Sequence, residues 1–199
     1  MDFISIKEVF IFIPRKNGKT SFVGGLAFAL SIVEAGSGAT LYIVAAAQKQ
    51  AQQSFDFIHH SLRAKGFDKQ FRVRNNNAEH SIHYEFASED GKPKGTIHIE
   101  ALASNPDAQD SFNCNVAIAD EIHAFKKASQ YNRFKEGQKA YTNKLMIGIT
   151  TAGDEMNSFC YRRLDYGVKV ANGTVKDDSL FVFISRADQD ENGNVDYTD

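Results

Sequence analysis

Three short stretches of this 199-residue chain set reactive side chains at the ends of apolar runs. The first is Pro14-Arg15-Lys16-Asn17-Gly18-Lys19-Thr20-Ser21, placed between the run Glu8 to Ile13 (EVFIFI) and an amphipathic segment. Gly-Lys-Thr at a strand-to-helix junction is the closing half of a P-loop. Backbone N–H groups of such a loop point inward at a phosphate, and the helix dipole adds favourable potential. Lys19 supplies a point charge to the β- and γ-phosphates, and Thr20 offers a hydroxyl to Mg²⁺. Gly18 removes a Cβ that would obstruct close approach. The full pattern GxxxxGK[ST] asks for glycine where Ile13 stands, so its opening position is not matched.

The second stretch is Asn115-Val-Ala-Ile-Ala-Asp120-Glu121-Ile122-His123, an apolar strand ending in two acids, the Walker B pattern. Asp120 at the strand tip suits Mg²⁺ held through its water shell, and Glu121 suits orienting and deprotonating an attacking water. The third is Ile147-Gly-Ile-Thr150-Thr151-Ala152-Gly153, a buried strand running into two hydroxyls, a small residue and a glycine. In a parallel sheet its end lies beside the acids, where Thr150 or Thr151 can sense a γ-phosphate; strand-end hydroxyls making local turn bonds are the plainer reading. Asp-Glu-x-His also matches DExH helicases, but His123 reads as a structural or coupling residue beside the sheet.

Phosphate chemistry of this kind needs a scaffold that gathers strand ends. After Glu8 to Ile13, a helix is predicted over Lys19 to Glu34, stopped at Ala35-Gly36-Ser37-Gly38. Thr40 to Ala46 reads as a buried strand. Gln48 to Lys65 reads as a helix, with Phe55, Ile58 and Leu62 on one face and Gly66 as its stop. Phe71 to Arg74, Ser81 to Phe86 and Thr96 to Leu102 are strand-like, predicting a small antiparallel insertion around 71–103. Val116 to Ala119, Lys144 to Thr150 and Leu180 to Ser185 are further strands; Ser129 to Ala140 and Asn157 to Val170 are helices. The alternation predicts an α/β doubly wound sheet with ligands at the carboxyl ends of its strands. With the P-loop, the expected fold is that of a P-loop NTPase of the RecA-like, additional-strand (ASCE) class, mostly parallel and flanked by helices.

Composition bounds the rest. The chain is 42 % hydrophobic and 24 % charged, enough for a real core and against general disorder. No apolar run is long enough to span a bilayer, and Met1 to Phe12 does not read as a secretory signal. Cys114 and Cys160 are read as buried, inert thiols. Net charge is −2, but residues 177–199 hold seven acids against Arg186, so the body is mildly basic. Lys126, Lys127 and the basic residues near 133–144 read as a solvated helix face. The histidines form no metal set. Within the tail, Asp188, Asp190, Asn192, Asp196 and Asp199 with Gly193 approach an EF-hand loop; an acidic surface turn is the preferred reading.

RKNGKT at 15–20, ADEIHAF at 119–125 and TTAG at 150–153, in this order and spacing, resemble the ATPase domain of tailed-bacteriophage terminase large subunits of the HK97-like group. The resemblance spans roughly residues 8 to 190. It implies a Mg²⁺-dependent ATPase motor that packages double-stranded viral DNA, partnered by a portal protein and a small terminase subunit, self-assembled into a ring, and active in the cytoplasm of the bacterial host. It implies Glu121, Lys19 and Arg15 as catalytic residues, with Arg15 at the γ-phosphate. Residues Pro14 to Ser21 are implied for nucleotide binding, Thr20 and Asp120 for metal, and Thr150, Thr151, Ala152 and Gly153 for coupling. Such proteins also carry an adenine-contacting Gln upstream of the P-loop and a C-terminal nuclease. Neither is found here, so an ATPase domain over 1–185 with an acidic tail at 186–199, a fragment without nuclease activity, is expected. An arginine acting on a neighbouring subunit has candidates in Arg133, Arg162 and Arg163. A DExH-type helicase domain and a DNA-binding or assembly module with a decayed nucleotide site remain the alternatives.

Overall fold

The computed structural model describes residues 6–105, 112–153 and 155–186. Eight strands form one sheet: β1 Glu8–Phe12, β2 Ala39–Ala45, β3 Arg72–Asn75, β4 His80–Ala87, β5 Pro93–Ala103, β6 Val116–Asp120, β7 Leu145–Thr150 and β8 Leu180–Ile184. Their order across the sheet is β3-β4-β5-β2-β6-β7-β1-β8. Across the sheet from β5 to β8 every pairing is parallel; β4 runs antiparallel to both β3 and β5. Helices α1 Lys19–Glu34, α2 Gln48–Ala64, α3 Ser129–Gly137 and α4 Phe159–Ala171 flank it. The expected acidic tail and its calcium-type turn fall at 187–199, outside the described residues.

The continuous apolar runs of the central strands follow from burial on both faces. Phe10 and Phe12 point to one core with Ala117, Met146, Tyr131 and Phe134, while Ile11 points to the other with Leu41, Ile43, Ile118 and Ile149. The second of these cores is closed by α1 and α2, which approach very near: a Cβ on Gly24 would lie 2.8 Å from the Ser54 carbonyl oxygen.

Two details sharpen the sequence expectations. The antiparallel part is not a separate layer, because β5 pairs in parallel with β2 from Ala39↔Ile97 to Ala45↔Ala103 and so joins the main sheet. Ile97, Ile99 and Ala101 alternate inward into the core that α2 covers, which is what fixes that register. Helix α3 stops at Gly137 rather than Ala140. A Cβ on Gly137 would overlap the Phe112 carbonyl, and the Gln138 side chain leaves the helix path to donate to the carbonyls of Asn115 and Leu145. Among the described residues no helix is long and apolar enough to cross a membrane, and Cys114 and Cys160 are buried and free.

The foot of β1 is fixed by a buried charge cluster. Glu8, 5 % exposed, accepts from Tyr131 Oη at 2.7 Å and Lys135 Nζ at 2.6 Å on α3, and pairs with Arg163 on α4 at 2.5 Å. Glu8→Ala would strand the largely buried Arg163 and the buried Tyr131 phenol. We expect a loss of about 3 kcal/mol in urea unfolding, with Glu8→Gln losing less because it still accepts from Tyr131.

Candidate nucleotide site

Strand order puts the ends of β1, β7 and β6 side by side, with β7 between the other two. Each of the three stretches singled out above leaves one of those ends. After β1, the Ile13 N–H donates to the Thr150 carbonyl at 3.1 Å, so the ladder to β7 runs one residue past the strand. Ile13 thus sits where the usual first glycine would, with its side chain half-buried against the α1 core.

Beyond Ile13 the chain turns on two left-handed residues, Lys16 (φ 67°) and Gly18 (φ 69°). Asn17 braces the turn by donating to the carbonyls of Pro14 at 3.2 Å and Arg15 at 3.4 Å. A Cβ at position 18 would meet nothing within 4 Å, so the protein itself demands glycine for the sign of φ rather than for room. Gly18 is the N-cap of α1, with no side-chain cap and no acid in the first turn. The positive end of a 16-residue helix is therefore left free for an anion. Arg15 and Lys16 stand exposed at its mouth, Thr20 is half-buried on the first turn, and Ser21 faces outward.

Lys19 points the other way. Only 8 % exposed, its Nζ lies 2.6 Å from Glu121 Oε1, joining the P-loop to the end of β6 across 102 positions of sequence. Glu121 can reach it because its backbone is left-handed (φ 54°), a conformation costly for a side chain with a Cβ and concentrated at functional sites. Its Oε2 is buried without a well-formed hydrogen bond; His123 Nδ1 stands 3.1 Å away. Burial works to raise the Glu121 carboxyl, but His123 and Lys19 outweigh it and hold it down at about 2.

Asp120 has the opposite fate. It is 5 % exposed and, among the described residues, its Oδ1 has no hydrogen-bond partner. Burial, then the negative charge of Glu121, push it up to about 6 against the pull of Lys19. A buried carboxylate oxygen with no donor, on the residue before the acid that holds the P-loop lysine, is chemically suited to a hard, hydrated cation such as Mg²⁺.

The coupling stretch closes the site. Thr150 and Thr151 are buried, and Thr150 Oγ1 accepts from the His123 backbone N–H at 3.1 Å while donating to the Thr151 carbonyl at 3.0 Å. Ala152 and Gly153 are exposed, yet Gly153 is tight on its inner side: a Cβ there would be 2.9 Å from His123 Cβ. Sequence reasoning placed His123 beside the sheet but not between Glu121 and Thr150. It also gave no sign of a cleft of about 320 Å³, formed where the stretch holding Gly153, Met156, Tyr161 and Leu164 folds against Phe12. Of the three arginines named above, Arg163 is engaged by Glu8 and lies 5.3 Å over the Tyr166 ring, Arg133 donates to its own helix at Ser129, and Arg162 is exposed, donating to the Asn157 carbonyl.

The family model described as "Terminase large subunit, ATPase domain" matches residues 2–169. The large terminase of bacteriophage HK97 has the same fold: TM-score 0.74 at 19 % identity, over 93 % of this chain and 36 % of that one. The large terminase of a thermophilic bacteriophage, in complex with ATP-γ-S, superposes with a TM-score of 0.61 at 11 % identity, over 90 % of this chain and 39 % of that one. Protein YmfN of Escherichia coli K12 is 31 % identical over 90 residues, 45 % of this chain and 19 % of YmfN. The chain thus spans about a fifth of the curated relative and about a third of the HK97 protein.

The two carboxylates predict a pH signature. Between pH about 4 and 6 the folded protein keeps a proton on Asp120 that the unfolded chain has released, so this residue erodes stability as pH rises, by an amount on the order of 3 kcal/mol once above 6. Asp120→Asn should therefore melt higher than wild type at about pH 7.5, the advantage shrinking as pH falls through 6. Equal melting midpoints across that range would show that Asp120 carries no such burden.

Proposed function

This chain belongs to the family of terminase large-subunit ATPase domains, and on that footing we propose that its ATP hydrolysis drives the packaging of double-stranded viral DNA into a capsid. The family match favours this reading over the helicase and decayed-module alternatives. The observation that carries the site assignment is the 2.6 Å contact of Lys19 with Glu121, which joins the two halves of a nucleotide site from distant parts of the chain.

In this reading the N–H groups at the start of α1 cradle the phosphates, and Pro14 to Ser21 form the loop around them. The polyphosphate takes over Lys19, and Glu121 is released to orient the attacking water and accept its proton. Arg15, exposed at the loop mouth, meets the γ-phosphate. Thr20 and Asp120 would hold Mg²⁺, the group for which the orphaned Oδ1 of Asp120 is suited. When bound, the ion would offset negative charge on the β- and γ-oxygens. Thr150, Thr151, Ala152 and Gly153 convey the state of the site from β7 towards α4, whose first turn includes Cys160, with Sγ 3.6 Å from Thr150 Oγ1. The partners would be duplex DNA, a portal protein, a small terminase subunit and further copies of this subunit in a ring, within the cytoplasm of a bacterial host.

Two substitutions separate binding from chemistry. Mg·ATP should raise the thermal unfolding midpoint of wild type, by the linkage of binding to folding, and Lys19→Ala should abolish that rise. Glu121→Ala should keep it while phosphate release falls by about 10²-fold or more. Equal hydrolysis by Glu121→Ala and wild type would sink the assignment.

A further inference from the structure

We propose that His123 is a positioning residue that sets the pose of Glu121 and ties that pose to the coupling strand, an inference that rests on the hydrolytic reading above. Its Nδ1 stands between two oxygens, Glu121 Oε2 at 3.1 Å and Thr150 Oγ1 at 3.3 Å. The carboxylate can only accept, and the Thr150 hydroxyl already spends its proton on the Thr151 carbonyl. We therefore assign the hydrogen to Nδ1, where it lies within reach of both the catalytic acid and the threonine.

The ring has little freedom to do anything else. It projects from a single 3₁₀ turn, Ile122–Ala124, that is anchored by the fully buried Ile122 and by the His123 N–H donated to Thr150 Oγ1 at 3.1 Å. On its other side Gly153 leaves no room, since even a methyl group there would crowd His123 Cβ at 2.9 Å. Three parts of the molecule thus meet on one imidazole: the acid at the end of β6, the hydroxyl at the end of β7, and the glycine of the loop that follows.

Glu121 has two side-chain neighbours of opposite fate. Lys19 holds Oε1, and it is the group a nucleotide phosphate would claim. Once Lys19 turns to phosphate, His123 is the remaining side chain beside the carboxylate, so it decides where the freed acid points. Because the same N–H reaches Thr150, a shift of β7 alters that pose, and a shift of the acid is felt at β7.

The chemistry at Nδ1 gives a test that simple packing cannot imitate. Asn places an amide N–H near the position of Nδ1, whereas Gln carries its amide one bond further out. We expect His123→Ala to retain the Mg·ATP thermal shift and a KM for ATP within about twofold of wild type, while kcat falls about tenfold or more, the scale at which residues that orient a working group act. His123→Asn should recover most of that loss and His123→Gln should not. Wild-type kcat in His123→Ala overturns the inference alone. Asn and Gln variants that are equally impaired overturn the shared N–H and leave only ring packing against Gly153. Should the Ala variant fail to fold, the Asn and Gln pair decides by itself. A wild-type protein that neither binds nor hydrolyses ATP overturns the hydrolytic reading, and this inference with it.

Discussion

Two acids and one lysine, all largely withdrawn from water, are the constraint on which the rest of the structure turns. Lys19 neutralises Glu121 through Oε1 and, among the described residues, Asp120 Oδ1 is left without a hydrogen bond. A protein selected for stability alone would not keep such a deficit, since an unpaired buried carboxylate costs free energy that an amide or an apolar residue would not. In the proposed reading the deficit is a place reserved for positive charge that arrives with the substrate. Until then the cation of the P-loop and the acid at the end of β6 neutralise each other.

That arrangement is held by rigid neighbours rather than by the loops themselves. Parallel strands on both sides of β7 fix the distance between the P-loop and the acids, and the Ile13 to Thr150 bond ties the loop to the coupling strand. At the other end of the same strand, Glu8 draws α3 and α4 onto the foot of β1. The strand that carries the P-loop is thus clamped at both ends, and what remains adjustable is side-chain partnership around Glu121.

Much of this was legible in the sequence because it is local. A run of β-branched and aromatic residues, a glycine and lysine, then a helical repeat fixes β1, the turn and α1 within thirty residues, and α1 begins and ends at the expected positions Lys19 and Glu34. Aligned acids and hydroxyls at the ends of apolar strands pointed to Asp120, Glu121 and Thr150 in the same way. What could not be read depends on register across distant strands. The Glu8 cluster joins residues more than a hundred positions apart, and nothing in the spacing of Tyr131, Lys135 and Arg163 points to it. Gly18 was read only for clearance of a ligand; that the chain itself also turns on its positive φ was not. Lys16 and Glu121 adopt the same left-handed sign without being glycine, which no propensity argument foresees. His123 was visible as a member of a motif, yet its position between two strand ends is a product of the sheet order.

The sheet order also has a consequence for the order of assembly. Of these eight strands β1 comes first in the chain, yet its two neighbours, β7 and β8, come last, pairing from Glu8 with Met146 and with Leu180. Until residues up to about 184 have been synthesised, β1 lacks the partners that give it a lasting place in the sheet. Such long-range closure is slow and prone to trapping. The turn after β1 is therefore a late product of folding, and in the proposed reading the ability to hold a nucleotide certifies that this eight-stranded sheet has been closed.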